Sequence, residues 1–143
     1  MHKMPKSLAI ALTATDLMFL AYWSLSLLHV AHIITLPSEI MYSDFRQPRV
    51  VAWNWSFLPL DLIFSGCGLT AVAASRCGNI IWRPLALMSL AFTIAAGWMA
   101  ISYWILLGEF NPGWFIPNLI LALWPLFFLP RLIKAGFSAT ISG

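Results

Sequence analysis

Four long apolar blocks, separated by short polar connections, constrain this chain more than any other feature of its sequence. They run from about Ser7 to Leu36, Val50 to Ala74, Pro84 to Leu107 and Trp114 to Ile133. Each supplies the roughly 20 residues that a helix needs to cross about 30 Å of hydrocarbon. The connections, Pro37 to Pro48, Ser75 to Arg83 and Gly108 to Gly113, are polar and carry helix breakers. Charged residues make up 9% of the chain, against about 25% in a soluble domain. The expected fold is therefore all-α: a polytopic membrane protein, a four-transmembrane-helix bundle occupying residues 1–143 as a single domain.

Lys3 and Lys6 precede the first block, as basic residues precede the apolar core of a signal peptide. That block is too long for such a peptide and has no convincing small-residue cleavage site, so it reads as a retained first span. Lys3, Lys6, Arg76, Arg83, Arg131 and Lys134 all fall on one side of a four-span arrangement. Arg46 and Arg49 fall on the other, beside Glu39 and Asp44. The excess of positive charge predicts that both termini and the middle connection lie in the cytoplasm. Trp82 is expected in the inner aromatic belt. Trp53, Trp55, Tyr103, Trp104 and Trp114 are expected in the outer one.

Two aspartates, Asp16 and Asp61, interrupt spans one and two. A carboxylate at the centre of a membrane helix costs roughly 2.5–3.5 kcal/mol on insertion scales, which makes such a residue a functional-site candidate. From the helix rise, Asp16 lies ~13 Å and Asp61 ~20 Å from the inner ends of their spans. The two acids are then expected about one helical turn apart in level, on neighbouring antiparallel helices. A close pair would titrate as one coupled unit.

The surroundings of these acids extend the argument. Asn54, Asp61 and Gly68 recur every seven residues with Ser65 between the last two, which places a polar stripe on one face. Pro59 removes a backbone donor beside Asp61 and predicts a kink there. Trp23, Trp98 and Trp124 fall near mid-depth. Together these residues predict an aromatic-walled cavity with two acids at its base. Asp16 and Asp61 are the candidate catalytic residues, and Asn54, Trp23, Trp98 and Trp124 the candidate ligand-binding residues. The bland alternative is that the aspartates are structural, bonding Thr13, Thr15, Asn54 or Trp98 across helices at about 1–2 kcal/mol or less per bond. Ion or proton coupling is a third reading. Ser89, Thr93 and Gly97 at intervals of four, with Ala96 and Ala100, form a close-packing face for another span or a second copy of the chain.

Several classes drop out. The net charge of +3 is small and scattered, and no basic cluster suggests nucleic acid. Cys67 and Cys77 lack metal or CxxC spacing and read as free thiols. His29 and His32 share a face and could join Glu39 or Asp44 around zinc, but no further ligand has recognisable spacing, so no metal is expected. No Walker loop, HExxH, GxSxG or haem signature is present, and no cofactor is expected.

The run Thr15-Asp16-Leu17 with Tyr22-Trp23 and His29 resembles the first span of small, uncharacterised bacterial four-span membrane proteins of the YvaD type. Val51-Ala52-Trp53-Asn54-Trp55-Ser56-Phe57, followed by Pro59-Leu60-Asp61-Leu62, resembles their second span and is the more specific segment. The resemblance covers most of the chain and implies a four-span inner-membrane fold without supplying an activity. In layout alone the chain is also similar to the emopamil-binding and sigma-2-receptor fold, through Phe57 to Phe64 around Asp61 and a proline-broken fourth span. That family's acids are not reproduced at matching positions. The expected function is binding of a small apolar or amphipathic molecule in the bundle, with Asp16 and Asp61 meeting a cationic or hydroxyl group. The alternatives are a proton-coupled carrier, a lipid or terpenoid isomerase or cyclase, and a structural subunit. Expected partners are the lipid bilayer, a small lipophilic or cationic ligand, and a second copy or another membrane protein.

Overall fold

The computed structural model describes residues 3–38, 41–42 and 44–134. Four helical spans, Lys6–Val30, Pro48–Arg76, Trp82–Leu107 and Pro112–Lys134, are long and apolar enough to cross a membrane. No strand occurs among the described residues, so the architecture is an all-α four-span bundle.

Helix α1, Lys6–Val30, starts directly after Pro5. It stops six residues short of the Leu36 boundary expected from hydropathy. Ala31 bonds back to Leu27, Ile33 reaches back to the Leu28 carbonyl, and His32 takes a left-handed φ of 57°. The β-branched run Ile33-Ile34-Thr35 before Pro37 is apolar but favours extended backbone, so hydropathy extends further than the helix.

Span two is two helices, α2 over Pro48–Trp55 and α3 over Leu58–Arg76. Pro59 has no N–H to offer the Trp55 carbonyl. The chain tightens there, with Phe57 N–H bonding Asn54 three residues back, and regular bonding resumes when Asp61 N–H meets the Phe57 carbonyl at 2.9 Å. The break stands immediately beside the acid.

Helix α4, Trp82–Leu107, ends at Gly108, whose φ of 70° suits a residue without a Cβ. Helix α5, Pro112–Leu123, is capped by Asn111, whose side chain accepts from Gly113 N–H. Pro125 turns the chain into a short 3-10 segment, Trp124–Phe127, before the span continues to Lys134.

Helix α3 is packed between α1 and α4, and α5 lies against α4. The α1/α3 pair is antiparallel in a clear register. Trp23 meets Asp61, Asp16 meets Gly68, and the Met4 N–H meets Ser75 Oγ at 3.0 Å. At the basic end, Leu8, Leu12, Ala71, Leu90 and Leu132 pack with the buried Trp82. At the opposite end, Trp23, Phe57, Phe64, Ala96 and Ala100 form a second cluster. The small-residue face of α4 is used inside the chain. Ser89 and Thr93 are fully enclosed, and Gly97 lies so close to α5 that a Cβ would fall 2.7 Å from the Ala122 nitrogen and the Asn118 oxygen.

Candidate functional site

Asp61 begins one turn after the α2/α3 break and is 3% exposed. Its Oδ2 accepts a 2.9 Å hydrogen bond from the indole Nε1–H of Trp23. Its Oδ1 has no hydrogen-bond partner. Asp61 lines a cavity of about 280 Å³ whose wall is rich in aromatic rings, including Tyr22, Trp23, Trp53, Trp104 and Trp114. The cavity sits between α1, α3, α4 and α5 at the end of the bundle away from the Lys and Arg clusters.

Asn54, the last-turn polar residue of α2, lines the same space, and its Oδ1 accepts from the Tyr22 hydroxyl at 3.1 Å. Beyond this bond lies a second cavity of about 150 Å³, which shares Tyr22, Tyr42, Asn54 and Trp114 with the first and adds His29 and Trp55. The Tyr22–Asn54 pair therefore stands between two chambers. Tyr42, buried over Trp114 with ring centroids 6.0 Å apart, closes one side of both. Burial raises its phenol above the ordinary tyrosine range, so at neutral pH it is an uncharged donor.

Aromatic contacts brace this end. Trp53 stacks on Tyr103 at 4.0 Å, with Trp104 edge-on at 6.0 Å. Trp23 lies 5.3 Å from Trp55, and Tyr22 6.1 Å from Trp114. Trp104 is 2% exposed. Of the rings expected in the outer belt, Trp53, Trp104 and Trp114 line this cavity.

Asp16 occupies a different place. It is fully buried against Gly68, next to Ser89, and is not among the residues lining the aromatic cavity. In the α1/α3 register, Gly68 is the residue opposite it and stands seven residues, or about 10 Å, along α3 from Asp61. The expected separation of one turn is therefore corrected to two, and the two acids do not share a cavity floor. Depth measured from assumed span ends missed this because the α1/α3 register is set by contacts such as Trp23–Asp61 and Asp16–Gly68, not by where the apolar blocks end.

Of the expected ligand-binding residues, Trp23 and Asn54 line the Asp61 cavity. Trp98 does not. It points out of the bundle and is 47% exposed, because Gly97 turns its own face toward α5 and leaves the next residue outside. Trp124 also lies elsewhere, in a groove with Ala11, Thr15 and Phe128, where its buried Nε1 has no partner. Asn118 and Tyr42 were missed as lining residues. Asn118 had a signal, being a lone amide inside an apolar span. Tyr42 had none, since it lies in a connection.

His29 Nδ1 accepts from the Leu36 N–H at 3.2 Å, and Glu39 lies outside the described residues. Among the described residues no three His, Cys, Asp or Glu side chains gather as a metal site.

Comparison with known proteins adds a family. The profile described as "Family of unknown function (DUF5360)" matches residues 8–139. An uncharacterised protein, YvaD of Bacillus subtilis (strain 168), is 36% identical over 122 residues, covering 85% of this chain and 88% of that protein. No solved structure matches the chain.

Proposed function

We propose, for a chain that belongs to the DUF5360 family of unknown function, that it binds a small organic cation with an apolar body, such as a lipophilic amine, in the cavity beside Asp61. The observation that carries this reading is the free Oδ1 of Asp61, a buried carboxylate oxygen with no partner at the edge of an aromatic chamber. An ammonium group there would satisfy the carboxylate, and the faces of Trp23, Trp53, Trp104 and Tyr22 would hold it by cation–π attraction, worth ~2 kcal/mol when desolvated. Asn54 and Asn118 would offer hydrogen bonds to any polar substituent.

The chamber volume lies at the lower edge of the roughly 300–1,000 Å³ typical of ligand pockets, which favours a compact molecule. Helix α1 packs extensively on α3 rather than α5, and Met18 on α1 and Pro117 on α5 both line the chamber. An amphipathic ligand would enter between these two helices from the lipid. Binding rather than catalysis is the reading favoured here, since the chamber wall sets no second carboxylate, histidine or lysine beside Asp61, its other titratable side chains being the phenols of Tyr22 and Tyr42. The asymmetric placement of basic residues supports an orientation with both termini cytoplasmic, and the likeness to a Bacillus protein supports a bacterial inner (cytoplasmic) membrane.

Benzyltrimethylammonium and its neutral carbon isostere, neopentylbenzene, provide the test. Titrated into purified protein while tryptophan fluorescence is followed, the cation should bind saturably and more tightly than the isostere. Asp61→Asn should remove that preference. Equal binding of both compounds, or an unchanged preference in Asp61→Asn, would refute the proposal.

A further inference from the structure

Asp16 is left unused by the aromatic cavity, yet it is enclosed with both carboxylate oxygens unpartnered. Ser65 Oγ and Ser89 Oγ are also enclosed and unpartnered. Serine and threonine hydroxyls in helices commonly bond back to a carbonyl one turn earlier, as those of Ser24, Ser26 and the buried Thr93 do here. Ser65 and Ser89 do not.

Asp16 and Ser89 converge at Gly68. The point at which a Cβ on Gly68 would stand lies 2.9 Å from Asp16 Cγ and 2.9 Å from Ser89 Oγ, and the Asp16 carboxylate Oδ2 is closer still. Carboxylate and hydroxyl therefore face one another across the glycine, without a hydrogen bond between them. Ser65 is on the same face of α3, one turn toward Asp61. Three helices contribute, α1 through Asp16, α3 through Ser65 and the gap at Gly68, and α4 through Ser89.

No basic residue lies between Ser7 and Leu28 on α1, on α3 before Arg76, or on α4 after Arg83. The titratable group within electrostatic reach is the Cys67 thiol, which brings no positive charge. An isolated buried carboxylate costs far more than a paired one. We infer that Asp16, Ser65 and Ser89 form a site for one desolvated monovalent cation, sodium, at the heart of the α1–α3–α4 packing.

Hard oxygen donors select a hard cation. A divalent ion would leave a net positive charge in an apolar surround, whereas a monovalent ion neutralises the single carboxylate. Asp16 and Ser89 both lie within 3 Å of the Cβ position of Gly68, a close approach that favours sodium over the larger potassium ion. The inference is independent of the organic-cation reading, since the two carboxylates stand two turns apart on opposite sides of Phe64.

The test uses the purified full chain at constant ionic strength, with sodium exchanged for choline. Sodium should raise the thermal midpoint saturably, potassium much less. Equilibrium dialysis with radioactive sodium should give one ion per chain. Ser89→Ala should weaken the apparent sodium affinity about tenfold or more. Asp16→Asn should abolish the sodium response while remaining at least as stable as the native chain in choline, because an uncompensated charge is gone. Asp61→Asn should leave the sodium response intact. Equal midpoints in sodium and choline with no bound sodium, or a sodium response that survives Asp16→Asn, would overturn the inference. So would a response to pH alone, which would mean that a proton fills this place. If neither variant folds, dialysis on the native chain decides.

Discussion

Trp23 and Asp61 are joined across α1 and α3 by a 2.9 Å hydrogen bond, indole N–H to carboxylate, at the floor of the aromatic chamber. The bond satisfies one carboxylate oxygen and leaves the other buried without a partner. Trp23→Phe removes the donor and keeps most of the ring. The expected cost is about 1.5–3 kcal/mol, the value for a bond to a charged group. In an Asp61→Asn background the same change should cost less, because the partner is no longer an ion. Thermal or denaturant unfolding of the four proteins in the double-mutant cycle measures the coupling. Independent, additive effects would show that the bond contributes no stability.

Gly97 and Gly66 make opposite predictions from one chemical change. A Cβ at Gly97 would fall 2.7 Å from two backbone atoms of α5, which cannot swing aside as a side chain can. Gly97→Ala should force α4 and α5 apart and cost about 1–3 kcal/mol. Gly66 has nothing within 4 Å of such a Cβ. Gly66→Ala should be neutral or stabilise by up to ~1 kcal/mol through helix propensity. Unfolding midpoints in one detergent compare the two directly.

The spans were legible in the sequence because apolar length is a property of composition, and the break beside Asp61 was legible because Pro59 lacks a donor. The choice of cavity residues was less so. Trp23 and Trp98 look alike as mid-depth tryptophans, yet one donates to Asp61 and the other points outward. What separates them is helix rotation, and here that is set by Gly97 seating against α5 and Gly68 against Asp16. Each contact involves a glycine whose partner lies on another helix, and a single sequence does not say which helix that is. The outer aromatics were visible as residues, but their assignment to a belt followed from depth alone. Depth does not tell whether a ring faces lipid or the bundle.

Cys77 is exposed in the connection that carries Arg76 and Arg83, while Cys67 is half-buried in α3. With both termini inside, Cys77 should resist a membrane-impermeant maleimide on intact cells and react in inside-out vesicles. A Cys67→Ser background removes the second thiol. Labelling of Cys77 from outside intact cells would reverse the orientation argued from the basic residues.

The Tyr22–Asn54 hydrogen bond stands where the two chambers meet, so Tyr22 should set how long a ligand can be. Tyr22→Phe removes the hydroxyl and keeps the ring. It should cost about 1 kcal/mol of stability, a typical net value for one neutral hydrogen bond, with little change in ligand size preference. Tyr22→Leu removes the partition as well. Benzyltrialkylammonium ions of increasing alkyl length, titrated against each variant, separate the two effects. The native chain and Tyr22→Phe should reject the longer ions at the same length, and Tyr22→Leu should accept them. An identical cut-off in all three would place the limit elsewhere, at the α1/α5 entrance beside Met18.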